Sequence, residues 1–182
     1  RINLMLNNKK ILKIAKTVIS KELEAISQLD KRLSNSFSEA VQLILKSNSK
    51  VIVAGVGKSA NIANKIVATL NSTGQPSVFL HAGDALHGDL GVIQENDIII
   101  CISNSGNTDE LKSFIRIIKD LGNKIVSICG NKNSFLSRNS DYFIDSSVDK
   151  EACPNNLAPT SSTTVQLVLG DALSVCLLEL RN

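Results

Sequence analysis

The segment Ser103-Asn104-Ser105-Gly106-Asn107-Thr108-Asp109-Glu110 gathers hydroxyls, amides, a glycine and two carboxylates into eight consecutive positions. It stands directly after the apolar run Ile98-Ile99-Ile100-Cys101-Ile102. Leu111, Phe114, Ile115 and Ile118 follow at helical spacing. A continuous β-branched run suits a strand covered on both faces, and the spacing after it predicts a helix. The loop therefore sits on a helix N-terminus, where unpaired backbone N–H groups and the positive end of the macrodipole favour a dianion. Ser103, Asn104, Ser105, Gly106 and Thr108 are the candidate phosphate-binding residues, and a phosphorylated small molecule is the natural occupant. The same residue types also cap helices with no ligand involved.

Three further segments carry chemistry. Gly55-Val56-Gly57-Lys58-Ser59 lies between a strand and a helix that starts near Ala60. Gly57 lets the backbone approach a ligand, Lys58 can offset developing negative charge, and Ser59 can cap the helix or donate to the ligand. Neither nucleotide motif fits, because Ile52 stands where a phosphate-binding nucleotide loop needs its first glycine and Ala60 where the dinucleotide pattern needs its third. Both histidines of the chain fall in His81-Ala82-Gly83-Asp84-Ala85-Leu86-His87. His81, Asp84 and His87 fit neither a zinc knuckle nor an H-E-x-x-H helix. His87 reads instead as a substrate-facing acid or base, since imidazole exchanges protons near neutral pH. Last comes Glu151-Ala152-Cys153-Pro154 with Thr160-Ser161-Ser162-Thr163-Thr164 after it. A carboxylate beside a proline-limited turn can be held rigidly as a general base, and Ser161, Ser162 and Thr163 open a helix as cap and ligand donors.

The rest of the chain must position these segments. Strands are expected at Lys50 to Ala54, Ser77 to Leu80, Asp97 to Ile102, Lys124 to Cys129 and Tyr142 to Ile144. Helices are expected at Ser36 to Lys46, Ile62 to Leu70, Leu111 to Leu121 and Ser161 to Leu180. This alternation argues for an α/β fold, a three-layer sandwich with a five-stranded, mainly parallel, flavodoxin-like sheet flanked by helices. Ligands in such folds bind beyond the carboxyl ends of the strands. Ahead of the sheet, Ile11, Ile14, Ala15, Val18, Ile19, Leu23, Ile26, Leu29 and Leu33 recur at three- and four-residue intervals. They give one long amphipathic helix whose stripe is expected to meet another subunit.

Composition narrows the function classes. The chain has 182 residues, 43% hydrophobic and 20% charged, enough for one substantial core, and is expected to form a single domain of an N-terminal helical segment (1–48) and an α/β core (49–182). Net charge is +3 with the signs interspersed, and aromatics are only 3%, a poor profile for a nucleic-acid binder. No stretch is expected to reach the ~18 apolar residues of a membrane span. The amino end is too short and polar for a secretory signal, so a cytoplasmic location is expected. The four cysteines lack C-x-x-C spacing and read as small core hydrophobes.

Together, Gly55-Val56-Gly57-Lys58-Ser59, Leu86-His87-Gly88-Asp89-Leu90-Gly91, Ser103 through Glu110, and Lys150-Glu151-Ala152-Cys153-Pro154 through Thr164 resemble the sugar isomerase (SIS) domain family, within it the arabinose 5-phosphate isomerases. The resemblance implies interconversion of D-ribulose 5-phosphate and D-arabinose 5-phosphate through a cis-enediolate, without a cofactor, supplying synthesis of the eight-carbon acid Kdo. It also implies a homotetramer. It assigns catalytic relevance to Lys58, Glu110 and Glu151 and substrate contact to His87, with Glu110 and Glu151 both open as the base. At His81 it implies zinc as an inhibitor only. The family's His-Pro-Gly-Gly stretch and its pair of CBS domains have no counterpart before Asn182. A non-catalytic phosphosugar-binding module and an isomerase of another sugar phosphate are the alternatives.

Overall fold

A computed structural model describes residues 8–181. Helices α1 (Asn8–Ser27), α2 (Leu29–Arg32) and α3 (Asn35–Lys46) precede strand β1 (Val51–Gly55). Then come α4 (Lys58–Ser72), β2 (Ser77–His81), the short α5 (Ala82–Ala85), a 3₁₀ turn (Asp89–Val92) and β3 (Ile98–Ser103). The chain continues through α6 (Asp109–Leu121), β4 (Lys124–Cys129), the short α7 (Phe135–Arg138), β5 (Tyr142–Asp145) and α8 (Ser161–Arg181). The five strands form one parallel sheet in the order β2-β1-β3-β4-β5, as the alternation predicts. Strand order reverses between β1 and β3, so the loops that follow these two strands face each other across the switch point where open α/β sheets bind ligands.

The sheet is apolar on both faces because each is covered. Every residue of β1 and β3 is buried. On one face Val51, Val53, Ile100 and Ile102 pack with α3, α4 and α8. On the other, Ile52, Ala54, Ile99 and Cys101 pack with α6 through Leu111, Phe114, Ile115 and Ile118. Helices α4 and α6 therefore approach the switch point from opposite sides, each leading with its N-terminus.

Three expectations are corrected. The long first helix does not run unbroken to Leu33: it is interrupted at Gln28 and resumes as α2, which lets Leu29 turn into the core. Helix α8 is long and apolar enough, by length and composition, to cross a membrane, contrary to the expectation that no stretch would be. Part of its apolarity has a packing cause, since Val165, Leu169, Leu173 and Leu177 are all buried in the fold, whereas Val175, Leu178 and Leu180 are exposed. The cysteines divide: Cys101 and Cys129 are core, whereas Cys153 and Cys176 are half-exposed, and all four are free. The apolar residues of α1 remain uncovered, with Ile11, Ile14, Ile19 and Leu23 between 46% and 60% exposed.

Candidate functional site

The β3–α6 loop is held in one shape from inside. The Ser103 hydroxyl accepts a hydrogen bond from the Gly106 N–H at 2.9 Å, and Gly106 takes a φ of +66° that a side chain would strain. A Cβ there would also overlap Ser134 and Cys129. From outside, the Leu136 N–H donates to Gly106 O at 3.1 Å, and the Phe135 N–H donates to Asn107 Oδ1 at 2.9 Å. On the face turned to solvent the Ser105 hydroxyl accepts the Asn107 N–H at 3.4 Å and can still donate. Thr108 stands at the N-cap of α6 without a side-chain cap hydrogen bond, and Asn104, Ser105, Thr108 and Glu110 are exposed. A rigid helix N-terminus with open hydroxyls and unspent N–H groups is what a phosphate needs.

Across the switch point, Gly57 caps α4 with a φ of +59°, presenting Lys58 as the exposed first residue of the helix. Parallel pairing sets Gly55 beside both His81 of β2 and Ile102 of β3, so all these loops share one edge of the sheet. Ser59 Oγ donates to Gln166 Oε1 at 3.2 Å, which ties the start of α4 to the second turn of α8. Sequence reasoning missed Gln166; 107 residues separate the pair, and no local pattern could have signalled it.

At the start of α8 the geometry is closed. Glu151 is only 8% exposed. Its Oε2 accepts from the Thr160 N–H at 2.8 Å, the Thr160 hydroxyl at 3.0 Å and the Ser162 N–H at 3.2 Å. Its own N–H donates to Asn156 Oδ1 at 2.7 Å. Burial pushes this carboxyl up, but the donors of Ser162 and Thr160 outweigh that and hold it below the usual carboxylate range. The Ser161 and Ser162 hydroxyls are shut off from solvent, whereas Thr163 is half-buried with its hydroxyl donating to Thr160 O at 2.9 Å. Beside them, the backbone N–H groups of Ala158, Leu157, Asn155 and Asn156 hold the Cys153 thiol below its ordinary value.

The two histidines part company. His81 Nδ1 lies 3.4 Å from Asp84 Oδ1, while His87 is exposed on the turn that follows α5, its N–H donating to Asp84 O at 2.8 Å. Among the described residues no group of three or more His, Cys, Asp or Glu side chains is placed to hold a metal ion.

A family model, described as the SIS domain, matches residues 43–176. The chain belongs to the SIS domain family. A solved structure from Escherichia coli CFT073, in complex with arabinose 5-phosphate, superposes on this SIS domain with a TM-score of 0.93 at 37% identity, covering 97% of this chain and 94% of that one. Among curated relatives, arabinose 5-phosphate isomerase KdsD of Pseudomonas aeruginosa is 45% identical over 98% of this chain and 55% of its own length. The Escherichia coli K12 protein of the same name is 44% identical over 92% of this chain and 51% of its own. The chain thus spans about half the length of these curated relatives. The matched region takes in all four chemistry-bearing segments.

Proposed function

We propose that this SIS domain binds a pentose phosphate and acts as an aldose–ketose isomerase, interconverting D-ribulose 5-phosphate and D-arabinose 5-phosphate through a cis-enediolate. The observation that carries the reading is the braced β3–α6 loop, which lies across the switch point from the turn that bears Lys58 and leaves the start of α6 open to an anion. The names of the relatives support the sugar. Phosphate held by Ser103, Asn104, Ser105, Gly106 and Thr108 anchors the substrate remotely, and correct orientation of the reacting carbons can contribute ~7 kcal/mol or more in the best cases. Gly57 and Ser59 belong to the turn after β1, across the switch point from that phosphate seat.

The reaction removes a proton from the carbon beside a carbonyl and returns it to the neighbouring carbon, so it needs a base, a proton shuttle and charge stabilisation but no cofactor. Lys58 stabilises the enediolate oxygen, His87 serves ring opening or proton relay, and the base is drawn from Glu110 and Glu151. By the resemblance, zinc would inhibit at a site that includes His81. The product would feed Kdo synthesis for lipopolysaccharide or capsule, and the four free cysteines fit a cytoplasmic location. We read residues 1–182 as one domain, and the bare apolar face of α1 supports a homo-oligomer, a tetramer by resemblance.

Incubation with ribulose 5-phosphate in deuterated water tests the reading. An isomerase places deuterium on the sugar carbon, visible by NMR, and forms the aldose. Binding without label would leave only a phosphosugar-binding module.

A further inference from the structure

The proposed reaction needs one proton-abstracting carboxylate, and two glutamates are available. We infer that Glu110 is the base, and that Glu151 is a positioning residue, an internal anion that fixes the start of α8 and, through Gln166, the Ser59 turn beside Lys58. The inference rests on the isomerase reading above.

A base must offer a free lone pair to a carbon-bound proton, and its basicity sets how well it takes it. Glu151 is the poorer candidate on both counts. One carboxylate oxygen already accepts from Thr160 and Ser162, the side chain is buried, and those donors favour its charged form, which weakens it as a base. No ion pair to Glu151 occurs among the described residues. What the donors do instead is anchor the first turn of α8. That helix carries Gln166 one turn further on, fully buried, and its Oε1 holds the Ser59 hydroxyl next to Lys58. Glu110, in contrast, is exposed in the first turn of α6, two residues beyond the seat's Thr108, and its side chain carries no hydrogen bond or ion pair among the described residues. In the step it performs, the C–H bond beside the carbonyl breaks, its electron pair becomes the enediolate double bond, and the proton rests on the Glu110 carboxylate. The proton of the neighbouring hydroxyl passes through the His87 relay to the former carbonyl oxygen, and delivery of the carbon-derived proton to the adjacent carbon then forms the new carbonyl and closes the cycle with no net oxidation and no co-reactant.

The experiment compares Glu110→Gln, Glu110→Ala, Glu151→Gln and Glu151→Ala for kcat/KM against pH, rescue by added formate, and amide hydrogen exchange. Glu110→Gln is expected to lose about 10²- to 10⁴-fold in kcat, the acid limb of its profile should vanish, and formate should restore part of the activity of Glu110→Ala. Glu151→Gln keeps an acceptor oxygen for Thr160 and Ser162, so it is expected to fall only about tenfold, with its acid limb in place. Glu151→Ala should lose amide protection over residues 160–164 and gain nothing from formate. Loss of the acid limb in Glu151→Gln, formate rescue of Glu151→Ala, or unchanged protection in Glu151→Ala would overturn the inference. If the parent chain shows no turnover of pentose phosphates, the isomerase reading and the assignment of Glu110 fall together, while the exchange arm still decides whether Glu151 anchors α8.

Discussion

Helices α6 and α8 begin in much the same way, with hydroxyls and a nearby carboxylate, yet one N-terminus is open and the other is filled. At α8 the protein supplies its own anion: Glu151 reaches from nine residues upstream to accept the Thr160 and Ser162 N–H groups. At α6 the hydroxyls of the turn brace the loop, and the N-cap hydroxyl makes no cap bond. Orphan N–H groups at a helix start must find an acceptor. Where the chain provides one, the helix start is closed; where it withholds one while holding the loop rigid, the start is left open to an external anion. The contrast tells apart two serine- and threonine-rich segments that look alike in composition.

The most damaging way to erase the contrast is to fill α6 as α8 is filled. Ser105→Asp places a carboxylate in the seat, and sugar phosphate binding, read by calorimetry, should weaken about a hundredfold or more through like-charge repulsion, with the fold retained. The converse change, Glu151→Ala, empties α8. It strands buried donors, a loss of about 1–3 kcal/mol in unfolding free energy measured by denaturant titration, whereas the Gln variant should lose less. Acidity separates these variants further. Because folding lowers the Glu151 carboxyl's pKa, its stabilisation is complete above the ordinary carboxylate range and fades as pH falls through the folded-state value. The parent should therefore lose stability on acidification more steeply than Glu151→Gln.

A smaller change sharpens the picture of α6. Ser105→Ala removes one donor from the open seat and should raise KM about tenfold while leaving kcat within a few fold, by steady-state kinetics. The mildest probe is chemical. With its thiol held low by surrounding backbone N–H groups, Cys153 should alkylate with iodoacetamide faster at neutral pH than Cys176, by peptide mass spectrometry.

Much of this was legible in the chain. The central strands are legible because parallel strands buried on both faces must be nearly continuous in apolar, mostly β-branched residues, as Ile98 to Ile102 are. The proposed anion seat can be read because its parts are contiguous. What escaped was short or distant. Helices α5 and α7 span four residues each, too few for any period to show, and the interruption at Gln28 leaves the apolar spacing intact on both sides. The division between the two glutamates depends on where Thr160 and Ser162 turn their N–H groups. That orientation is set by the packing of α8 against α4, to which no spacing in the sequence points. The bare stripe on α1, by contrast, was anticipated from periodicity alone.

The central claim is that the open start of α6 is the phosphate seat. A crystal structure with ribulose 5-phosphate bound tests it most directly. The phosphorus is expected within hydrogen-bonding reach, through its oxygens, of the Ser105 and Thr108 hydroxyls and the backbone N–H groups of the first turn of α6, with the carbonyl end turned toward Lys58. Phosphorus seated at the start of α8, or away from the switch point altogether, would contradict it.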